Sequence, residues 1–327
     1  MAHRIAVFLD FIESVKVILL LSVVLLPNLI ISAIKLLLPK KRKNISGQLA
    51  LITGGSEGIG RAISFRLAQE GCNIAIANRN LEKGQKTAEE IRKKFNVKVQ
   101  AFQCDVSKCE DVKRLKDEVK KSLGTVDLLI NNAGLMPMEH SLLEGDDEYY
   151  QYVMDVNLTS YIWITRAFLP DMINNKRGHI VGVSSQAYQL PLHSMTTYAT
   201  TKFGNKGFID ALREDIHCYG FGDFIKTSTV FTGFVKTKDE MVDAVTNNFN
   251  NFLLSLCEPE KVADTVVDGI MKDDENIYAS IIEAFFAALV YFFPRNVKNI
   301  FFHNLFKSDK RDEYVKMRLK SCKLLNC

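Results

Sequence analysis

Residues 48–60 read QLALITGGSEGIG. Leu49, Ala50, Leu51 and Ile52 make an apolar run of strand length. Gly54, Gly55, Gly58 and Gly60 follow, and a pattern suited to an amphipathic helix occupies 59–69. Apolar run, glycine loop and helix in that order build the phosphate cradle of a dinucleotide fold. Glycines turn the chain tightly and let backbone approach a pyrophosphate, while the helix N-terminus offers unpaired N–H groups and the positive end of its dipole. Thr53, Gly54, Ser56, Gly58, Ile59 and Gly60 are therefore candidate contacts. The spacing is G-x-x-x-G-x-G, not G-x-G-x-x-G, and a glycine cluster alone is equally a simple tight turn. Its place between strand and helix favours the nucleotide reading.

Outward from this junction the theme repeats. Residues 73–78 (NIAIAN), 97–104 (VKVQAFQC), 126–130 (VDLLI), 178–183 (GHIVGV) and 225–230 (IKTSTV) are further strand candidates, separated by helix-like segments. Strands alternating with helices require right-handed crossovers, which predicts a doubly wound α/β domain, a parallel sheet covered on both faces, from about residue 46. No internal repeat or low-complexity linker interrupts it. At 327 residues, 47% hydrophobic and 24% charged, the chain is too apolar for disorder and suits one domain plus attachments. The 42 basic and 38 acidic residues leave a formal charge of +4 without a basic stripe, which argues against nucleic-acid binding. Seven cysteines without CxxC pairs or a cysteine/histidine grid argue against a disulfide framework and against a metal site, and place the folded part in a reducing compartment.

The apolar residues are unevenly spread. Mean hydropathy is −0.00, yet residues 17–34 (VILLLSVVLLPNLIISAI) run eighteen residues without a charge. That meets the length of a membrane segment, about 18 residues. Lys40, Lys41, Arg42 and Lys43 outweigh His3, Arg4 and Lys16, which puts the following domain on the cytosolic side. A cleaved signal peptide would need a small-residue cleavage site where the basic cluster stands. Pro27-Asn28 leaves two shapes open, a kinked span or a hairpin dipping into one leaflet. The expected organisation is an anchor with its basic stop at 1–45, the α/β domain at 46–275, and an apolar segment with a basic tail at 276–327.

In a dinucleotide fold the end of the second strand meets the adenosine ribose. An acid there bonds the 2'-hydroxyl, whereas an arginine accommodates a 2'-phosphate. Asn78-Arg79 stands at that point without an acid, which favours NADP(H) and leaves NAD(H) open. Glu57 in the phosphate loop opposes this, since a carboxylate repels a 2'-phosphate, and Arg79 as an ordinary solvated loop residue is the plain alternative.

Tyr198 and Lys202 lie four apart in TYATTK and project from one face of a helix. A phenol that titrates near about 10 is a poor proton donor at neutral pH, and an adjacent ammonium favours phenolate and lowers that value, as hydride transfer needs. Ser185, thirteen residues earlier at the end of GHIVGVSS, is placed to bond a carbonyl or alcohol. In isolation a Y-x-x-x-K pair is usually a surface helix pair. With TGGSEGIG, Asn131-Asn132-Ala133-Gly134, Asn157, Ser185, Tyr198 and Lys202 in this order and spacing, residues 47–237 resemble the short-chain dehydrogenase/reductases. The resemblance implies a three-layered Rossmann domain. In it Tyr198 is the general acid/base, Ser185 orients the reacting oxygen, Lys202 holds the nicotinamide ribose and lowers the tyrosine pKa, and Asn157 supports a water in a proton relay. It also implies that Asn132, Ala133 and Gly134 border the coenzyme together with Tyr198 and Lys202, and that Asp105-Val106 contacts adenine. Asn157 as a backbone bridge and Asp105 as a helix starter are the plain alternatives. Asn44-Ile45-Ser46 and Asn157-Leu158-Thr159 match the glycosylation sequon, and a buried cytosolic position argues against the second as an acceptor.

More narrowly, the apolar segment before KKRKNISGQLALITGG, the stretch RAFLPDMINNKRGHIVGVSS and FVKT at 234–237 resemble the membrane and lipid-droplet 17β-hydroxysteroid and retinol dehydrogenases. That branch implies an endoplasmic reticulum membrane or lipid-droplet surface as partner, a lipophilic retinoid, steroid or other lipid as substrate, and a homodimer by family habit. A second apolar stretch at 277–293 (IYASIIEAFFAALVYFF), ended by Pro294-Arg295, is expected to form a helix that touches the bilayer or roofs a lipophilic tunnel. A strand plus buried helix is the alternative, and Glu283 argues against a second span. Residues 238–256 and 277–293 are expected at the substrate entrance. Two departures matter: Asn78 replaces the acid usual in members that use NAD, and VFTGFV at 230–235 lacks the usual proline turn, which leaves that loop less constrained. The activity expected is alcohol–carbonyl interconversion; a 3-ketosphinganine-type reductase or a non-catalytic lipid-droplet scaffold are the alternatives.

Overall fold

The computed structural model describes residues 2–136, 146–188, 195–237 and 256–280, with scattered positions at 239–246 and 285–300. Its contacts divide the chain into two units, Met1–Arg42 and Lys43–Cys327. The first holds α1 (Ala2–Leu37), one continuous helix with Pro27 inside it. Phe11–Ile31 is long and apolar enough to cross a membrane, and none of it is buried. Pro27 has no N–H to return to the fourth residue before it. Nearby, the Asn28 side chain donates to the Val24 carbonyl at 2.7 Å and Ser22 to that of Ile18 at 2.8 Å. These polar side chains thus satisfy themselves within the helix. Of the two shapes left open by Pro27-Asn28, the structure has the continuous helix and not the hairpin.

The second unit carries a seven-stranded sheet in the order β3-β2-β1-β4-β5-β6-β7, parallel throughout. The strands are β1 (Leu49–Thr53), β2 (Asn73–Asn78), β3 (Val99–Gln103), β4 (Leu128–Asn131), β5 (Gly178–Ser185), β6 (Ile225–Thr232) and β7 (Asn276–Tyr278). Between them run α2 (Gly58–Gln69), α3 (Leu81–Lys94), α4 (Cys109–Ser122), α5 (Asp147–Met154), α6 (Ser160–Asn174), α7 (Thr196–Cys218) and α8 (Pro259–Met271). Side chains alternate across a strand, so each apolar run feeds two cores. Ala50, Ile52, Ile74 and Ile130 pack with Ile63 and Leu67 of α2 and Val262 and Val266 of α8. Leu49, Leu51, Ala75 and Leu129 pack on the other face with Leu115 of α4, Ile164 and Phe168 of α6 and Ile209 of α7. The result is the three-layered, doubly wound Rossmann architecture.

Boundaries differ from expectation where polar side chains claim the backbone. At the first strand ends of the sheet, the Asp127 carboxylate accepts from the Leu49 amide at 2.9 Å and from Arg177 Nε at 2.7 Å, and β4 starts one residue later. β6 extends two residues past Val230, to Thr232. The apolar stretch at 277–293 does not open as a helix, because Ile277 and Tyr278 belong to β7 against Val230 and Phe231. The helix expected over the remainder, and the entrance expected at 238–256, fall almost entirely outside the described residues.

Candidate active site

The carboxyl ends of the strands surround a cavity of about 890 Å³. In a doubly wound sheet this is where loops diverge on either side of the β1–β4 junction and leave a crevice. The glycine loop forms one wall. Gly54 and Gly58 have positive φ, +65° and +49°, and a Cβ on Gly58 would lie 2.8 Å from Thr237 Cγ2. A Cβ on Gly60 would run into the Gly54 carbonyl oxygen and sit 2.5 Å from Asn132 Nδ2. Thr53 fixes the neighbouring loop from behind: its hydroxyl accepts from the Asn132 and Ala133 amides, both at 3.0 Å, and Asn132 Nδ2 donates to the Thr53 carbonyl at 2.9 Å. No side chain caps the N-terminus of α2, and the buried Ser56 hydroxyl has no protein partner among the described residues. A backbone cradle into which no side chain fits, at an uncapped helix N-terminus, suits a pyrophosphate.

At the end of β2, Arg79 is exposed, lines the cavity and donates from Nη1 to the Tyr152 hydroxyl at 2.5 Å. Glu57 is not alone: Lys83, in the first turn of α3, forms an ion pair with it, and both line the cavity. Sequence reasoning missed Lys83. The available signal was its place three residues after the helix cap Asn80, where the dipole disfavours a cation. Gln103 at the end of β3 lines the cavity, whereas Asp105 and Val106 do not. Asp105 Oδ1 accepts from the Ser107 amide at 3.1 Å and hydroxyl at 2.7 Å, and Val106 is part of the apolar core. Local turn bonds thus hold Asp105, and core packing holds the Val106 side chain.

Opposite, Ser185 closes β5 while Tyr198 and Lys202 lie one turn apart on α7, and all three line the cavity. Ser185 Oγ accepts from the Ala187 amide at 3.2 Å, and its single proton is shared between the Thr232 carbonyl, 3.3 Å away, and the Tyr198 phenol oxygen. Lys202 Nζ donates to the Val183 carbonyl at 3.0 Å, which also accepts from Tyr161 at 2.8 Å. Burial pushes the Tyr198 phenol above its ordinary value, with the Ser185 bond pulling the other way. Burial also brings the Lys202 ammonium from 10.5 down to about 8. The expected lowering of Tyr198 by Lys202 is therefore not what the structure shows. Both groups are desolvated, and the ammonium, 5.4 Å from the centre of the phenol ring, is turned to a backbone carbonyl.

Asn157 sits in a π-helical turn, Asp155–Thr159, joining α5 to α6. Such wide turns bond i to i+5 and interrupt the regular backbone ladder. Its Oδ1 accepts from the Leu135 amide at 2.7 Å, and its Nδ2 donates to the Leu135 carbonyl at 2.8 Å and to Thr201 Oγ1 at 3.3 Å. It therefore ties the loop after β4, which carries Ala133 and Gly134 to the cavity, to the helix that carries Tyr198 and Lys202.

The chain matches the family model for short chain dehydrogenase over residues 48–247. It is 33% identical over 258 residues to the human protein named epidermal retinol dehydrogenase 2, covering 79% of this chain and 82% of that one. It is 31% identical over 283 residues to human 17-beta-hydroxysteroid dehydrogenase 13, covering 86% and 91%. Among solved structures, a metagenomic short-chain oxidoreductase in complex with NADP superposes with a TM-score of 0.59 at 27% identity, over 72% of this chain and 96% of that one. L-sorbose reductase from Gluconobacter frateurii, complexed with NADPH and L-sorbose, gives 0.64 at 25% identity, over 72% and 95%.

Proposed function

Because this chain belongs to the short-chain dehydrogenase/reductase family, whose members are NAD(P)-dependent oxidoreductases, we propose that it interconverts an alcohol and a carbonyl on a lipophilic molecule with NADP(H) as the favoured coenzyme. The observation that carries this is the convergence of Ser185, Tyr198 and Lys202 on the same cavity as the glycine cradle. The bound coenzyme supplies or accepts hydride at its nicotinamide C4. Everything else falls to the protein. The cradle of Gly54, Ser56, Gly58, Ile59 and Gly60 takes the pyrophosphate, Arg79 the ribose 2'-phosphate, and Asn132, Ala133 and Gly134 border the coenzyme, with Thr53 bracing that loop. Ser185 donates a hydrogen bond to the substrate oxygen. Tyr198 gives that oxygen a proton in reduction and takes one in oxidation; burial, which raises its pKa, favours the protonated phenol that reduction needs and opposes the phenolate that oxidation needs. Lys202 reaches the nicotinamide ribose and carries the proton path on from Tyr198, and Asn157 holds the loop and helix in register.

Retinoids, steroids and other lipid alcohols or ketones are the substrate classes, which the names of the retinol and 17-beta-hydroxysteroid dehydrogenase relatives support. The apolar α1 supports a membrane-bound location, read as the endoplasmic reticulum or lipid-droplet surface of the branch it resembles, and the basic cluster Lys40–Lys43 supports a cytosolic catalytic domain. Full-length protein assayed with NADPH and NADP against retinoids, steroids and 3-ketosphinganine tests the reading. The expected result is turnover that Tyr198→Phe abolishes while coenzyme binding persists. Full activity in Tyr198→Phe refutes the acid/base assignment, and coenzyme binding without turnover on any lipid favours a scaffold.

A further inference from the structure

We propose that Lys83, paired with Glu57, sets the coenzyme preference of the cleft: its ammonium is a ligand for the ribose 2'-phosphate, and the Glu57 carboxylate opposes that dianion. This rests on the coenzyme-site reading above and adds a residue to it. Arg79, Lys83 and Glu57 share one wall of the cavity at the end of β2. Lys83 occupies the first turn of α3, where a helix favours acids and disfavours cations, so helix chemistry does not explain it. Its ion pair with Glu57 joins side chains 58% and 49% exposed, and a pair so wet adds little to stability. Neither folding consideration accounts for a lysine there. An anion bound at the ribose does: an ammonium has three donors and the ion pair engages one of them, so Lys83 can hold Glu57 and a phosphate oxygen together. Arg79, steadied by Tyr152, approaches from the strand end, and the neutral Asn80 side chain is engaged by the Lys83 amide. The wall carries two cations and one anion. Glu57 thus weakens the attraction that Arg79 and Lys83 exert, which makes the preference for a 2'-phosphate adjustable by one carboxylate.

The test uses full-length protein in detergent and measures dissociation constants for NADPH and NADH, with 2',5'-ADP and 5'-ADP as fragment probes. Lys83→Gln is expected to lower the ratio of NADPH to NADH affinity about tenfold or more, the effect of losing one charge-assisted hydrogen bond. It should also erase the preference for 2',5'-ADP over 5'-ADP. Lys83→Arg is expected to retain both preferences, and Glu57→Gln to raise the NADPH to NADH ratio severalfold. A ratio unchanged in Lys83→Gln, with both preferences intact, overturns the role of Lys83. Wild-type protein that binds neither coenzyme overturns the coenzyme site itself, a result the ratio measurement keeps separate.

Discussion

Lys202→Met is expected to stabilise the fold at neutral pH, and by an amount that depends on pH in a defined direction. Lys202 is buried, and its pKa falls from 10.5 to about 8 because the folded interior disfavours the ammonium. Between those values the unfolded chain binds more protons than the folded one, so wild-type stability rises with pH across that window. Below about 8 the full cost is present, about 3 kcal/mol at 1.36 kcal/mol per pKa unit. Methionine removes the charge and keeps most of the stem volume, but it also loses the bond to the Val183 carbonyl, about 1 kcal/mol, part of which Tyr161 covers by donating to the same oxygen. The variant is therefore about 2 kcal/mol more stable at pH 7, and that advantage shrinks by about 2 kcal/mol by pH 9.5, where much of the wild-type cost has been relieved. Urea unfolding followed by the emission of Trp163, the single tryptophan, at pH 7 and pH 9.5 measures both quantities. Equal stability at pH 7, or curves that run parallel between the two pH values, would refute the reasoning. The expected result makes Lys202 a residue kept at a cost in stability, as an active site permits.

Three further outcomes follow from the geometry. Gly60→Ala drives a Cβ into the Gly54 carbonyl and should abolish coenzyme binding in a calorimetric titration while circular dichroism stays native. Asn157→Leu strips the half-buried Leu135 amide and carbonyl of their partner and should cost about 2 kcal/mol in chemical unfolding. Arg79→Ala should weaken NADPH binding more than NADH binding in a fluorescence titration; unchanged NADPH affinity would remove Arg79 from the 2'-phosphate site.

Strand positions were legible because a parallel sheet buried on both faces demands continuous apolar runs, and LALI, NIAIAN and GHIVGV are such runs. Their ends were less so. Whether β4 begins at Val126 or Leu128 is decided by the Asp127 carboxylate, which engages a strand seventy-eight positions earlier. Tyr198, Lys202 and Ser185 were readable through their spacing. The direction of the Tyr198 shift was not, since it depends on how deeply α7 buries both side chains. Lys83 in LEKGQK was not readable as a site residue, because only the fold of α3 brings it to Glu57. The π-turn around Asn157 has no signature in VMDVNLTS, because a wide turn is a property of how two helices join and not of any one residue.

The placing of β4 beside β1 has a consequence for the order of events as the chain folds. The cradle is completed by bonds from Thr53 to Asn132 and Ala133, groups seventy-nine and eighty positions apart. β2 and β3, with α2, α3 and α4, lie between them in the chain, and a crossover connects every pair of neighbouring strands, so no hairpin zips up locally. A nascent chain that has reached β3 possesses the whole glycine loop and has no nucleotide site. Ligand binding is then a readout of long-range closure, and a coenzyme stabilises the finished sheet without templating its assembly.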